Sequence, residues 1–238
     1  MDNVKKLQSM IDECKSIVFF GGAGVSTESG IKDFRSVDGL YNEKYDYPPE
    51  VMLSRSFFDT HTKEFYEFYK DKLNTLTIEP NVTHKYLKKL EDKGKLKAII
   101  TQNIDGLHEK AGSKNVLLLH GTTYQNYCMD CGKAYDAEYV FNSKGIPKCS
   151  CGGIIKPDVV LYEEPLKEDT VREAIKAIAE CELLIIGGTS LVVYPAASYI
   201  NYFRGKYLVI INRDSTIADK SADLVIHEKL GDIFSKLK

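Results

Sequence analysis

Four cysteines in the middle of the chain have the spacing of metal ligands. Cys128 and Cys131 form a CxxC pair, and Cys149 and Cys151 follow as a CxC pair. Four thiolates complete the tetrahedral coordination of Zn²⁺ and leave no open position, so this pattern predicts one structural zinc ion per chain and no catalytic metal. Disulfides or free buried thiols are the alternative, and the reducing cytoplasm that we expect for this chain favours the metal.

A glycine-rich turn after an apolar run is the second pattern that could form a functional site. Residues 17–20 read Ile-Val-Phe-Phe and continue directly into Gly-Gly-Ala-Gly at 21–24. Glycines let the backbone turn tightly and approach a ligand, and Ser26 or Thr27 can cap a following helix whose N-terminus attracts phosphate. Thr27 replaces the third glycine of the dinucleotide fingerprint and no P-loop lysine follows. An ordinary strand-to-helix turn that binds no nucleotide therefore remains the alternative interpretation.

Apolar runs alternate with helical patterns along the chain. We expect strands at 17–20, 96–100, 116–119, 183–186, 208–211 and 224–226, and helices at 3–14, 57–73, 82–90, 170–180, 194–203 and the C-terminus. The alternation predicts an α/β fold, a Rossmann-like parallel sheet with helices on both faces. Polar or glycine residues follow five of these strands, at the sheet edge where such folds bind ligands, which favours a nucleotide site.

Composition limits the classes of function. The chain has 238 residues, of which 43% are hydrophobic and 28% are charged, and its net charge is −2. This balance argues against direct binding of nucleic acid. The N-terminus lacks an apolar signal core, and we find no apolar run of the roughly 20 residues that a membrane span needs. We therefore expect a cytoplasmic protein without a membrane partner, and we favour a monomer.

Several motifs together resemble the sirtuin family over nearly the whole chain. They are GAGVS at 22–26, GIKDFR at 30–35, TQNIDGLH at 101–108, LHG at 119–121 and GTSLVVYP at 188–195, with the two cysteine pairs between them. The resemblance implies a Rossmann-like large domain (about 1–34, 80–121 and 157–238). It also implies a small domain built from a helical insertion (about 35–79) and a zinc module (about 122–156).

The resemblance further implies an NAD-dependent protein lysine deacetylase. In that reaction the acetyl-lysine oxygen displaces nicotinamide, His120 acts as general base on a ribose hydroxyl, and Asn103 assists. The products are deacetylated lysine, nicotinamide and 2′-O-acetyl-ADP-ribose. The residues implied in NAD binding are Gly22, Ala23, Gly24, Thr27, Phe34, Arg35, Gln102, Asn103, Ile104, Asp105, His120, Gly188, Thr189, Ser190, Asn212 and Leu230.

The partners implied are acetylated lysine-containing proteins or peptides, bound as an added strand. The residues implied in peptide binding are Val159, Val160, Leu161, Tyr162 and Val193. Where the family usually reads Phe-Gly-Glu, this chain reads Tyr-Glu-Glu at 162–164. We expect Glu163, at the glycine position, to narrow the cleft or to favour peptides with basic residues.

The acyl group is expected to be uncharged. Sirtuins that prefer succinyl groups carry Tyr-x-x-Arg in the helical insertion, and the matching residues here are Tyr66 and Tyr69.

Three other functions remain as alternatives. A sirtuin scaffold can transfer ADP-ribose to protein instead of removing acyl groups. An NAD-dependent dehydrogenase is disfavoured by the missing third glycine. A non-enzymatic zinc-ribbon binding module is disfavoured because residues 124–156 carry few basic side chains among acidic neighbours.

Overall fold

A parallel sheet forms the centre of the protein. The structure is a computed structural model that describes residues 2–33, 39 and 47–238. Its six-stranded sheet has the order β3-β2-β1-β7-β8-β9, and every neighbouring pair is parallel. The strands are β1 (Ile17–Gly21), β2 (Leu96–Thr101), β3 (Val116–Leu118), β7 (Leu183–Gly187), β8 (Tyr207–Ile211) and β9 (Leu224–Ile226). The predicted α/β sheet is confirmed.

The sheet is buried on both faces, as its continuous apolar strands require. In β1, Ile17 and Phe19 point into one hydrophobic cluster, whereas Val18 and Phe20 point into the other. The first cluster lies under α1 (Asn3–Glu13), α5 (Val82–Asp92) and α9 (Leu230–Phe234), and the second lies under α8 (Glu168–Glu180). Alternate side chains of a strand face opposite ways, so one apolar run supplies both cores.

A second, smaller sheet packs with the helical insertion. It is antiparallel, with the order β5-β4-β6, and consists of β4 (Gly121–Cys128), β5 (Ala134–Asp136) and β6 (Ile155–Val159). Its apolar side shares a third core with α2 (Pro49–Met52), α3 (Arg55–Thr60), α4 (Thr62–Lys72) and α7 (Ala137–Asn142). The short helix α6 (Leu107–Lys110) follows β2.

Local structure departs from the sequence expectations at three places. The helix expected after the glycine turn is instead two short 3₁₀ helices, Ala23–Val25 and Thr27–Ser29. The second ends at Gly30, whose φ of +89° is a left-handed conformation that stops a helix. Strand β3 ends at Leu118, before the His-Gly pair, and the expected 194–203 helix is a 3₁₀ helix over Ala196–Tyr202.

Helix length also bears on membrane insertion. None of the helices in the described part of the chain combines the length and apolar character that crossing a bilayer requires.

Two buried histidines pack against each other beneath the sheet. The rings of His84, in α5, and His108, in α6, are 4.7 Å apart between centroids, and the two residues are 0% and 1% exposed. Burial lowers the pKa of His84 to about 4 and also lowers that of His108. The fold therefore contains both rings in their neutral form.

We expect this pair to make stability depend on pH. Above the ordinary histidine pKa near 6.5 the pair costs no free energy of unfolding, because both rings are neutral in the folded and in the unfolded chain. The free energy of unfolding decreases as the pH falls towards 4, because the unfolded chain binds protons first. His84 alone contributes a loss on the order of 3 kcal/mol. Denaturant unfolding at pH 7.5 and 4.5 measures this loss.

The control variant is His84→Gln, which keeps a side chain able to accept a hydrogen bond from the Asn81 N–H at the start of α5. It should show a smaller loss between the two pH values than the parent protein. The same change at the exposed His227 provides the comparison for loss of a histidine as such. An equal pH dependence in His84→Gln and the parent would contradict the explanation.

Candidate functional site

A cavity of about 1230 Å³ opens where the parallel strands end. It reaches from the glycine turn after β1 to the segment that follows β6. The described residues implied in NAD binding all line it: Gly22, Ala23, Gly24, Thr27, Gln102, Asn103, Ile104, Asp105, His120, Gly188, Thr189, Ser190, Asn212 and Leu230. The residues implied in peptide binding, Val159, Val160, Leu161, Tyr162 and Val193, line the same cavity. Phe34 and Arg35 lie outside the described residues.

The glycine turn after β1 touches the turn after β7 backbone to backbone. The Gly24 N–H donates to the Gly188 carbonyl at 2.8 Å. A Cβ on Gly24 would lie 2.8 Å from the Gly188 Cα, and a Cβ on Gly22 would lie 2.8 Å from the Thr189 Cβ. These glycines therefore allow two loops to meet at the cavity floor, a role distinct from the direct approach to a ligand that the sequence suggested.

A buried carboxylate lies at the inner end of the cavity. Asp105 Oδ2 accepts a hydrogen bond from Ser26 Oγ at 2.6 Å, and Oδ1 accepts one from the Leu107 N–H at 3.0 Å. The Asn103 amide in turn donates to Ser26 Oγ at 3.1 Å. Burial raises the pKa of Asp105, while these donors oppose that shift. The network orients Asp105 and Asn103 side by side in a site of low dielectric.

Sequence reasoning assigned Ser26 only a helix-capping role. The residue caps no helix with its side chain, because its hydroxyl joins Asp105 to Asn103 instead. Its position inside the GAGVS motif was the available signal. Thr75, whose hydroxyl donates to the Asp105 carbonyl at 3.1 Å, comes from the distant helical insertion and has no motif around it.

His120 is held by one ring nitrogen. Its Nδ1 lies 2.9 Å from the Gln102 carbonyl oxygen, and because a carbonyl only accepts, Nδ1 carries the proton. In the neutral ring, Nε2 is then the free acceptor. Burial lowers the pKa of His120, and the bond to Gln102 opposes that shift. The imidazole is consequently neutral near pH 7 and able to take a proton.

The segment after β6 runs beside His120. The Val160 N–H donates to the His120 carbonyl at 2.9 Å, so main-chain bonding ties the segment to the residue with the basic ring. Further along, Tyr162 N donates to the Leu53 carbonyl and the Tyr162 carbonyl accepts from Arg55 N, each at 3.0 Å. The segment is thereby fixed between His120 and the helical insertion.

Glu163 lines the cavity, and its side chain is bonded to the helical insertion. Its φ is +77°, and its carboxylate accepts hydrogen bonds from both the N–H and the hydroxyl of Ser56, each at 2.9 Å. The charge is directed at the helical insertion.

The tyrosines matched to the succinyl motif do not line the cavity. Tyr66 and Tyr69 are 1% and 0% exposed and pack inside the core of the insertion, where Tyr69 stacks on Phe141. The Tyr66 hydroxyl bonds to the Ile155 carbonyl. These two residues therefore give no information about the acyl group.

The four cysteines converge at the end of the small sheet. Their sulfur atoms all lie within 4.8 Å of one another, and the Sγ–Sγ distances from Cys131 to Cys149 and Cys151 are 3.6 and 3.5 Å. A tetrahedral site with Zn–S bonds of about 2.3 Å has edges of about 3.8 Å, so the sulfur positions fit zinc. The hydroxyl of Tyr135 donates to Cys149 Sγ at 3.0 Å, which orients that ligand from outside the site.

The remaining two cysteines lie far from this cluster in the sheet core. Cys14 and Cys181 are buried, and burial raises the pKa of both thiols, that of Cys181 to about 12. They behave as small apolar side chains.

The chain is similar to known proteins over nearly its whole length. A model described as the Sir2 family matches residues 22–195. An NAD-dependent protein deacetylase of Clostridium perfringens is 58% identical over 240 residues, which covers 99% of this chain and 98% of that protein. One of Clostridium acetobutylicum is 57% identical over 237 residues, covering 98% and 97%.

Solved structures show the same similarity. A Sir2 complex with a p53 peptide and NAD⁺ has a TM-score of 0.86 and 38% identity, over 98% of this chain and 96% of that one. A Sir2 protein bound to acetylated peptide has a TM-score of 0.86 and 37% identity over the same shares.

We expect loss of one cluster cysteine to abolish metal binding and to unfold the zinc module. Structural zinc supplies about 10–16 kcal/mol to small metal-bound folds, and three thiolates do not complete the tetrahedron. Cys151→Ser should therefore contain less than a tenth of the zinc of the parent by mass spectrometry of the metal, and should melt at a lower temperature. Cys181→Ala is the control and should retain one zinc per chain. Full zinc occupancy in Cys151→Ser would contradict the assignment.

Proposed function

Because this chain belongs to the Sir2 family, we propose that it is an NAD-dependent protein deacetylase acting on acetylated lysines. The observation that carries the proposal is the position of His120. Its basic ring lies in one cavity with the glycine turns, and its main chain bonds to the segment implied in peptide binding. One site thus joins a nucleotide-binding edge, a general base and a strand able to receive a peptide.

Bound NAD supplies the reaction with a ribose carbon that loses nicotinamide and accepts the acetyl oxygen. The cavity is large enough for a dinucleotide together with an acyl-lysine side chain. The Gly22–Gly24 turn, Thr189, Asn212 and Leu230 line the cavity, and we assign them to NAD binding. Phe34 and Arg35 are proposed to complete the diphosphate and ribose contacts.

His120 acts as the general base. The Gln102 carbonyl holds its Nδ1–H, so Nε2 accepts a proton from a ribose hydroxyl. The lowered pKa keeps the ring unprotonated at neutral pH, which makes it ready to accept that proton. The arrangement is a base oriented by a backbone carbonyl, with no carboxylate needed to fix the tautomer.

Asp105 and Asn103 form the pocket for the carboxamide of nicotinamide, with Ile104 beside them. The carboxylate of Asp105 accepts from that amide, and the Ser26 hydroxyl keeps it in position. The surrounding burial excludes water from the carbon that reacts, which protects it from hydrolysis.

The acetylated peptide adds as a strand beside residues 159–162, facing Val193. Cys128, Cys131, Cys149 and Cys151 hold one structural Zn²⁺. The parallel sheet corresponds to the proposed large domain, and the helical insertion with the zinc module corresponds to the small one. We further propose a cytoplasmic monomer that binds neither nucleic acid nor membrane.

The base assignment predicts the behaviour of His120→Ala. Removing a general base lowers kcat by about 10²- to 10⁴-fold, and zinc content and melting temperature should stay close to those of the parent. Mass spectrometry of the parent protein with acetyl-lysine peptide and NAD should show equal amounts of deacetylated peptide, nicotinamide and O-acetyl-ADP-ribose. In the parent, kcat/KM should rise with pH and level off by pH 7, because the base has a lowered pKa.

Nicotinamide release with the acetyl group still on the peptide would instead indicate ADP-ribosyl transfer or NAD hydrolysis. No turnover of NAD with acetyl peptides would contradict the proposed function. Full activity in His120→Ala would contradict the assignment of the base while leaving the deacetylase function in place.

A second prediction concerns the nicotinamide pocket. Ser26→Ala removes a donor to the buried Asp105 carboxylate, which leaves that charge less satisfied and raises its pKa further. We expect KM for NAD to rise about tenfold and inhibition by nicotinamide to weaken, because both ligands use this pocket. Ser29→Ala, in the 3₁₀ helix that directly follows Ser26, is the control. Unchanged nicotinamide inhibition in Ser26→Ala would contradict the role of this network.

A further inference from the structure

A tight turn follows the segment implied in peptide binding. The Glu164 N–H donates to the Leu161 carbonyl at 3.0 Å, which closes a four-residue turn with Glu163 at its third position. The φ of +77° at Glu163 lies in the left-handed region, as at the third position of a type II turn. Glycine is favoured there because a Cβ crowds the backbone. A glutamate in this position must be compensated by what its side chain contacts.

The side chain of Glu163 contacts the start of helix α3. The first N–H groups of a helix have no partner within the helix. Here the Arg55 N–H donates to the Tyr162 carbonyl at 3.0 Å, and the Ser56 N–H donates to the Glu163 carboxylate at 2.9 Å. The Ser56 hydroxyl donates to the other carboxylate oxygen, also at 2.9 Å. Two consecutive residues of the turn therefore cap α3, and the negative charge suits the positive end of the helix dipole.

The neighbouring glutamate holds the other side of the turn. Glu164 Oε2 accepts from the Leu161 N–H at 2.9 Å and from the ammonium of Lys156 at 3.2 Å. Lys156 is 2% exposed and also donates to the Val159 carbonyl at 3.0 Å. Glu164 Oε1 also accepts from the Arg55 guanidinium at 3.1 Å, so the turn is bonded to β6 through Glu164 and to α3 through both glutamates, of which only Glu163 contacts Ser56.

We propose that Glu163 is a positioning residue that clasps the peptide-binding segment to helix α3 through Ser56, so that the segment is ordered before the peptide arrives. The inference rests on the proposed deacetylase function. It is an alternative to the expectation that the Glu163 charge selects basic peptides, and it gives the two hydrogen bonds from Ser56 a role that does not depend on peptide charge. The clasp lowers the ordering cost of peptide binding for every peptide, whatever its charge.

The test separates the clasp from charge selection with three acetyl-lysine peptides that differ only in flanking arginines, glutamates or serines. Glu163→Asn keeps a residue that tolerates a left-handed φ but shortens the side chain so that it no longer reaches Ser56. We expect KM for all three peptides to rise equally, by about threefold to tenfold, with kcat and KM for NAD within about twofold of the parent.

Further variants test the partner. Ser56→Ala removes the hydroxyl donor and should raise peptide KM less than Glu163→Asn does. The double variant should equal Glu163→Asn, because the two residues act through one contact. Glu163→Gln keeps an oxygen that can accept from Ser56 and should recover part of the loss. Glu180→Gln removes a charge from an exposed carboxylate at the end of α8, outside the cavity lining, and should leave peptide KM unchanged.

Hydrogen exchange gives a readout that is independent of turnover. The Ser56 N–H should exchange faster in Glu163→Asn and not in Glu180→Gln. A KM increase confined to the arginine-flanked peptide, or additive effects of the two single changes, would overturn the proposal. If the parent releases no nicotinamide with acetyl peptides, the proposed function fails, and the exchange rate alone then decides whether the clasp exists.

Discussion

The contact between two glycine turns is the constraint on which the site depends. β1 and β7 are neighbours in the sheet, and each ends in glycine, so their following turns leave the sheet side by side. The hydrogen bond from Gly24 to Gly188 and the absence of side chains between them let the two backbones meet. Because packed interiors do not yield to an added methyl group, this contact fixes the floor of the cavity and the distance between its two halves.

Burial in the cavity changes the pKa values of two side chains. The same exclusion of water raises the pKa of Asp105 and lowers that of His120. Each group is then oriented by a partner from another part of the chain, Ser26 for the carboxylate and the Gln102 carbonyl for the imidazole. Orientation before the substrate binds is what makes fixed polar groups effective in a dry site.

The sheet and most of its elements could be predicted because their signals are local. Apolar runs such as 183–186 have few other possible structures, and the cysteine spacing by itself indicates zinc. The contacts that position the site are between residues distant in sequence, so no local pattern reports them. Thr75 bonds to Asp105 and Ser56 bonds to Glu163, and the two residues of each pair are distant in the sequence and meet only in the folded chain. The substitution at Glu163 was visible in the sequence, but its partner was not.

The same distinction explains the errors. The helix expected after the glycine turn requires a regular run of bonds, and the left-handed Gly30 ends it after a single turn. The match of Tyr66 and Tyr69 to a motif rests on spacing, which does not show that both side chains face the core of the insertion, and the expectation of an uncharged acyl group stays a prediction.

The zinc module leaves and rejoins the sheet-bearing part of the chain at adjacent points. Gly121 pairs with Val159, and the His120 carbonyl accepts a hydrogen bond from the Val160 N–H, so the two ends of the module are joined beside His120. The tip of the module, which carries the zinc ligands, can vary in length or sequence without displacing the His120 imidazole, whereas root residues such as Thr123 and Lys156 bond to Ile104 and Glu164. The tip of the module can therefore differ between proteins with this fold and give them different surfaces, while the residues around His120 keep their positions.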